Sequence, residues 1–264
     1  MDATMNFEDL ADLHPILNFD PDVDAIINPP RSASLPRKLV LCFFKEVVEK
    51  VAAEQKAEII YTFRSEAGLY LVYAIEFRGE KVAFFQPGVG AALGVGLMEE
   101  AIASGAQYVV ACGGCGVLNR DIAVGQVLLP TAAYREEGVS YHYLPPSATV
   151  EIETAVLDIM EAVLVDHEIA YLKTKSWTTD GFYRETLGKA ARYKAKGCLA
   201  VEMEMSALAA VAKFRGVRFG QYLNAGDTVV PEGWDRRDWI HRIDVREKLF
   251  WLSVEACLKM EEEL

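Results

Sequence analysis

The stretch from Gly197 to Val230 (GCLAVEMEMSALAAVAKFRGVRFGQYLNAGDTVV) constrains this chain most. It reads as strand, helix, strand, with an acid where each strand stops. Gly197 to Val201 is a short apolar strand. A helix follows from about Glu202 to Arg215 and ends at Gly216, the residue type favoured just past a helix terminus. The second strand runs roughly from Arg218 to Ala225 and closes in a Gly226-Asp227 turn. Val201, Met205, Leu208 and Ala212 repeat at helical spacing, and the helix is apolar almost all round, as buried helices are.

Two acids stand out. Glu202, Ser206 and Lys213 share one narrow polar strip, but Glu204 falls between Leu208 and Val211 on an apolar face. A carboxylate there is costly unless something satisfies it. It is either an internal acid paired with an arginine or a backbone amide, or a carboxylate aimed at a ligand hydroxyl. Asp227 lies where α/β sheets hold ligands, beyond the carboxyl end of a strand. The bland alternative is an ordinary turn aspartate.

The chain has 264 residues, 52% of them hydrophobic, enough for one large core. No linker divides it, so residues 1–22 read as an N-terminal arm and 23–264 as a single α/β domain. A net charge of −12 argues against nucleic acid and anionic membrane as partners. The acidic N-terminus lacks the basic-then-apolar pattern of a signal peptide, and no apolar run is long enough to span a membrane. Five cysteines, mostly in apolar segments, suit a reducing cytosol, so a cytoplasmic location is expected. The four histidines show no metal spacing, and neither a metal nor an organic cofactor is expected.

Along the chain, Asp24 to Asn28 is a candidate first strand and Leu39 to Ala53 a helix, with Leu39, Phe43, Val47 and Val51 every fourth residue. Strands are expected at Ile59–Phe63, Leu69–Phe77 and Lys81–Phe85, the last two joined by a hairpin turn at Arg78-Gly79-Glu80. Gly88-Val89-Gly90 opens a helix that ends near Gly105. Gln107–Ala111 is a buried strand leading into a glycine loop, Cys112-Gly113-Gly114-Cys115-Gly116. Such a loop brings backbone against a ligand; a redox reading of its two cysteines is disfavoured, because redox pairs of that kind open a helix. A strand at Val127–Ala133, a polar aromatic loop at Tyr134–Pro146, a helix at Glu151–His167 and a strand at Tyr171–Trp177 follow. A loop at Pro231–Arg237 and a closing helix at Val245–Glu263 come last. Helices and strands alternate, which gives an α/β class with a mixed sheet.

Val201-Glu-Met-Glu-Met-Ser-Ala-Leu208 resembles the V-E-M-E-x-x-A-L segment of the nucleoside phosphorylase family, which includes purine nucleoside phosphorylases, uridine phosphorylases and methylthioadenosine/adenosylhomocysteine nucleosidases. Four more segments agree in order: Gly88-Val-Gly90, Cys112–Gly116, Thr179-Asp180-Gly181-Phe182-Tyr183 and Ala225-Gly226-Asp227. The resemblance implies a central mixed, partly barrel-like sheet flanked by helices, and a reaction at a nucleoside C1′. It implies that Met203 lies under the ribose with Glu202 in the same segment, that Glu204 takes the 2′- and 3′-hydroxyls, that Phe182 packs on the base, and that Gly114, Cys115 and Gly116 line the site. Asp227 would meet the purine N7, with Arg236 or Arg237 orienting it. His14 and Arg64 correspond to residues that a neighbouring subunit lends to the ribose and the phosphate, so a homodimer or a hexamer of dimers is implied. Gly90 belongs to the phosphate loop. Inorganic phosphate would be the co-substrate.

The chemistry agrees with this assignment. Breaking a glycosidic bond builds oxocarbenium character on the sugar, which a carboxylate on its hydroxyls stabilises, and a protonated base leaves more easily. An acid facing the base serves only if burial or a partner raises its pKa.

The phosphate site departs from the family pattern. The phosphorylases carry a G-D-P-x-R loop after the first strand; Ile27-Asn28-Pro29-Pro30-Arg31 stands in that place and keeps only Arg31. Ala111 replaces an arginine, and Gly114 replaces a Ser or Thr. Three readings follow: a phosphorylase whose anion site is rebuilt from Arg31, Arg64 and Arg120 or Arg135; a hydrolase using water; or a nucleoside-binding protein. Asp227 favours a purine, since uracil has no N7, whereas Arg135-Glu-Glu-Gly-Val-Ser140 resembles a loop of uridine phosphorylases.

Overall fold

The structure, a computed structural model, describes residues 19–20, 25–31, 34–230, 232–239 and 243–264. The elements are β1 (Lys38–Cys42), α1 (Lys45–Glu54), β2 (Glu58–Ser65), β3 (Gly68–Phe77), β4 (Glu80–Phe85), α2 (Ala91–Ala103), β5 (Tyr108–Val117), β6 (Val127–Glu136), β7 (Thr149–Glu151), α3 (Thr154–Asp166), β8 (Tyr171–Thr179), α4 (Leu187–Ala195), β9 (Cys198–Glu202), α5 (Met205–Arg215), β10 (Arg218–Val230), β11 (Gly233–Asp235) and α6 (Ile243–Glu263). They form one domain around an 11-stranded mixed sheet.

β5 holds the sheet together. Along one edge it pairs with β10 in parallel, from Tyr108↔Arg218 to Val117↔Thr228. Along the other edge it pairs with β1 in parallel as far as Cys112↔Cys42, and then with β9 in antiparallel from Gly116↔Val201. β9 pairs with β8, β8 with β6, and β6 with β10, so five strands close into a ring through β5. β1, β4, β3 and β2 extend from β5 as an open sheet. The expected partly barrel-like sheet is therefore present. Cys115, Val117, Leu128, Ala200, Leu223 and Ala225 form a small core of their own on strands of the ring. The main core lies under the helices: α6 lies against β5, β1 and β10 with α3 beside it, and α2 packs on α5.

Several expectations change. Residues 25–28 form no strand, and Ile26 and Ile27 are exposed; residue 24 lies outside the described residues. The expected helix at Leu39–Ala53 begins as a strand. All five residues of β1 are buried, because it runs between β4 and β5 with both faces covered. A doubly buried strand shows a continuous apolar run rather than alternation, and such a run mimics the start of a helix. The glycine loop is not a loop but the second half of β5. The Gly226-Asp227 turn lies inside β10, at a register shift between Ala225 and Thr228. α4 was not foreseen. The hairpin turn at Arg78-Gly79 is present, with both residues at positive φ. α5 ends as expected on Gly216 in the left-handed conformation. Almost all of the N-terminal arm lies outside the described residues.

Candidate active site

β4, β1, β5 and β10 run parallel as neighbours. Their carboxyl ends therefore emerge on one side, where such sheets bind ligands. Between Cys112, where β1 leaves, and Gly116, where β9 joins, one edge of β5 has no neighbouring strand among the described residues. Gly114 is exposed there, although it lies mid-strand between buried Gly113 and Cys115. Backbone groups in such a gap are free to meet a ligand.

Side-chain alternation sorts the strand into two faces. Cys115 points into the small core with Leu223 and Ala225, so it lines the gap with backbone only. Gly114 and Gly116 face the other way. A Cβ at Gly114 would come within 3.9 Å of the Phe44 ring, and one at Gly116 within 2.9 Å of Val201, 3.0 Å of Val229 and 3.6 Å of Asp227 Oδ1. Cys112 and Cys115, three apart on a strand, point to opposite faces, and both are free buried thiols. The pair has no geometry for a disulfide.

Glu204 follows β9 and Asp227 lies at the register shift within β10, the two strands that pair with the opposite edges of β5, the strand of this glycine floor. Glu204 is 6% exposed and immediately precedes α5. Its Oε1 accepts the N–H of Gly90 at 2.6 Å. Burial, and then the neighbouring Glu202 charge, push its pKa up to about 8. Asp227 is half-buried at the shift in β10, and Trp234 Nε1 on β11 donates to its Oδ2 at 2.5 Å. The shift lets the strand re-aim this side chain. β9, which leads to Glu204, and β10, which carries Asp227, pair with opposite edges of β5, and Asp227 Oδ1 lies 3.6 Å from the Cβ position of Gly116.

The other foreseen residues are placed as follows. Glu202 is fully committed internally. Its Oε1 accepts from Ser176 at 2.9 Å and Thr178 at 2.6 Å; its Oε2 accepts the N–H groups of Glu204 at 2.8 Å and Met205 at 2.6 Å. It caps α5, and burial raises its pKa. Met203 is half-buried between β9 and α5. Phe182 is 50% exposed on the turn after β8, its ring 4.2 Å from that of Tyr183. Arg237 does not bond Asp227; its guanidinium holds the carbonyl of adjacent Gly226 and that of Ile122. Arg236, Arg31 and Arg64 are exposed. His14 lies outside the described residues.

The loop after the sheet's first strand is Phe43-Phe44, not Ile27–Arg31, because β1 begins at Lys38. Arg120 pairs with Glu232 at 3.6 Å on the surface. Arg135 is fully buried and consumed locally. It donates to Ser140 Oγ at 2.9 Å, to Ser147 Oγ and the Pro145 carbonyl at 2.7 Å each and to the Leu144 carbonyl at 3.2 Å, with Tyr141 stacked on it. It cannot serve an anion.

Sequence reasoning missed Glu185. It is half-buried after the Phe182–Arg184 turn, and burial, then the Asp227 charge, push its pKa up to about 7. Trp234 was missed as well. Neither carries a local signal, since each meets Asp227 only through the folding back of a loop or hairpin.

The sequence profile of the Phosphorylase superfamily matches residues 37–243. A guanosine phosphorylase of Halorubrum lacusprofundi is 25% identical over 57% of this chain and 63% of its own, so the match spans less than two thirds of that relative. A purine nucleoside phosphorylase of Plasmodium falciparum is 24% identical over 70% of this chain and 76% of its own. A solved uridine phosphorylase of Vibrio fischeri ES114 superposes with a TM-score of 0.73 at 20% identity, covering 89% of this chain and 99% of its own. The glycine floor, its two flanking acids and the ring-closed sheet thus lie within a match that covers most of the chain, and the chain belongs to the phosphorylase superfamily, with nucleoside phosphorylases as its relatives.

Proposed function

We propose that this chain cleaves the N-glycosidic bond of a purine nucleoside with inorganic phosphate, giving free base and ribose 1-phosphate. The observation that carries the reading is the break in the β5 edge at Gly113–Cys115, flanked by Glu204 and Asp227. A nucleoside lying along it puts its ribose hydroxyls at Glu204 and its base over Gly116 toward Asp227. As the C1′–N9 bond breaks, its electron pair goes to the base and positive charge grows on the sugar. Glu204 holds the hydroxyls and stabilises that charge. Asp227, steadied by Trp234, hydrogen-bonds or protonates N7, and a phosphate oxygen closes on C1′. A guanosine phosphorylase and a purine nucleoside phosphorylase among the relatives support the purine choice, while a uridine phosphorylase neighbour keeps a pyrimidine as the runner-up.

A second reading, hydrolysis or nucleoside binding alone, draws on Phe43-Phe44, Ala111 and Gly114, which leave β1 and β5 without cationic or hydroxyl side chains at the gap. Assembly as a homodimer or a hexamer of dimers with shared sites belongs to the proposal too. Exposed Ile59, Leu69 and Leu71 beside Arg64 on β2 and β3 suit a covered face. A cytoplasmic site of action fits five free buried thiols. Among the described residues no helix is long and apolar enough to cross a membrane.

The test is turnover of inosine, guanosine, adenosine and uridine with and without phosphate. Phosphate-dependent release of ribose 1-phosphate from inosine or guanosine is expected. Equal turnover without phosphate establishes a hydrolase instead, and saturable binding without turnover a binding protein.

A further inference from the structure

Arg135-Glu-Glu-Gly-Val-Ser140 carries the chain out of β6, and its second glutamate is a buried acid with no place in the chemistry above. Glu137 is 4% exposed. Its Oε2 accepts the N–H groups of Val139 at 2.6 Å and Ser140 at 2.9 Å, and its Oε1 accepts from Ser206 Oγ at 2.8 Å. All three donors are neutral. A carboxylate withdrawn from water without a bonded cation is costly, so what its bonds join is informative. Two of them fold the loop on itself. The third crosses 69 residues of sequence to the first turn of α5, two residues past Glu204. Next to Glu137, the N–H of Gly138 donates to Asp180 Oδ2 at 2.9 Å. Asp180 precedes the turn that presents Phe182 and Glu185, which is closed by the Arg184 N–H on the Gly181 carbonyl at 2.7 Å. Residues 137 and 138 therefore join the helix that follows Glu204 to the turn that carries Phe182.

We propose that Glu137 is a positioning residue, which holds Glu204 and the Phe182–Glu185 turn in one fixed relation through Ser206 on one side and the Gly138–Asp180 bond on the other. This rests on the reading of Glu204 and Phe182 as the ribose and base contacts of a nucleoside site. Two contacts to one ligand act together only if the spacing between them is fixed, and small misplacements are expensive in rate. Ser206 gives its backbone N–H to Thr178 Oγ1 at 3.0 Å, so truncating its hydroxyl cuts the link to Glu137 and leaves that second anchor in place.

The test is kcat/KM for inosine with phosphate in the whole chain, together with hydrogen exchange. Glu137→Ala and Ser206→Ala are each expected to lower kcat/KM about 10-fold or more. Glu137→Gln should stay within about 3-fold of wild type, because its amide oxygen can take the two N–H groups while its NH2 donates to Ser206 Oγ. Asp180→Ala cuts the other end of the link. Once one end is cut, cutting the second should cost little more, so the double variant Ser206→Ala/Asp180→Ala should be no more than about 2-fold below the worse single one. The amides of Arg184, Glu185 and Thr186 should exchange faster in Ser206→Ala, although Ser206 is bonded to none of them. If Glu137→Ala does not fold, Ser206→Ala and the cycle decide. Wild-type kcat/KM in Ser206→Ala, or losses that multiply in the double variant, overturns the proposal. If wild type turns over no nucleoside, the nucleoside reading falls and exchange decides alone: faster exchange at residues 184–186 in Ser206→Ala supports the link, and unchanged exchange overturns it.

Discussion

The backbone N–H of Gly90 donates to Glu204 Oε1 at 2.6 Å across 114 residues of sequence. The bond ties the opening of α2 to the start of α5. It also gives a buried carboxylate a fixed backbone partner, while no side chain among the described residues hydrogen-bonds to it. Glu202 does the structural capping beside it, which frees Glu204 from that task.

Burial of Glu204 makes stability depend on pH. Its pKa rises from 4.5 to about 8 on folding, so the folded state binds the proton more tightly. The contribution is fully present below pH 4.5 and is lost as pH rises through about 8. Glu204→Gln removes this slope. Urea midpoints at pH 5 and pH 8.5 should show wild type losing on the order of 3 kcal/mol relative to the variant, while nucleoside kcat/KM falls about 100-fold or more in Glu204→Gln.

Two glycines on the same face of β5 should respond unequally to alanine. At Gly114 the new methyl meets only Phe44, at an ordinary 3.9 Å. At Gly116 it meets two branched valines at 2.9 and 3.0 Å. Gly114→Ala is expected to melt within about 0.5 kcal/mol of wild type. Gly116→Ala should lose about 1–3 kcal/mol and also activity, because Val229, two residues from Asp227, has to shift. Thermal denaturation of both variants checks this.

Arg135 should behave as a framework residue. Arg135→Met leaves four acceptors from Ser140 to Ser147 without their donor in a buried place. A loss of about 3 kcal/mol or more is expected. In whatever fraction remains folded, the KM for phosphate should be unchanged, as steady-state kinetics at low temperature would show.

Much of this was legible in the sequence. The apolar run announced α5, but it begins at Met205, so Glu204 precedes the helix instead of lying on one of its faces; β-rich runs on either side of Arg78-Gly79-Glu80 announced β3 and β4. Helical spacing and a doubly buried strand overlap at Leu39 to Phe43, so β1 was hidden. Glycines usually mark loops, and nothing local says that Gly113, Gly114 and Gly116 continue a strand whose edge is left open. Trp234 and Glu185 reach Asp227 only because distant parts of the chain fold together, and such contacts leave no periodic trace.

Trp234 Nε1 donates to Asp227, and the Asp227 charge acts on Glu185. Trp234→Phe removes an N–H bonded to a carboxylate on an exposed hairpin and should lower kcat roughly 3- to 10-fold with little change in melting. Glu185 ionises near pH 7 beside Asp227, so Glu185→Gln should flatten the part of the kcat/KM profile that changes around that pH. Profiles from pH 5 to 9 would decide.

The most direct measurement is a crystal structure of the chain with an unreactive inosine analogue. The account predicts one molecule lying over Gly114 to Gly116, with its ribose hydroxyls on Glu204 and its N7 edge at Asp227. A nucleoside bound elsewhere, or touching only one of these two carboxylates, would contradict it.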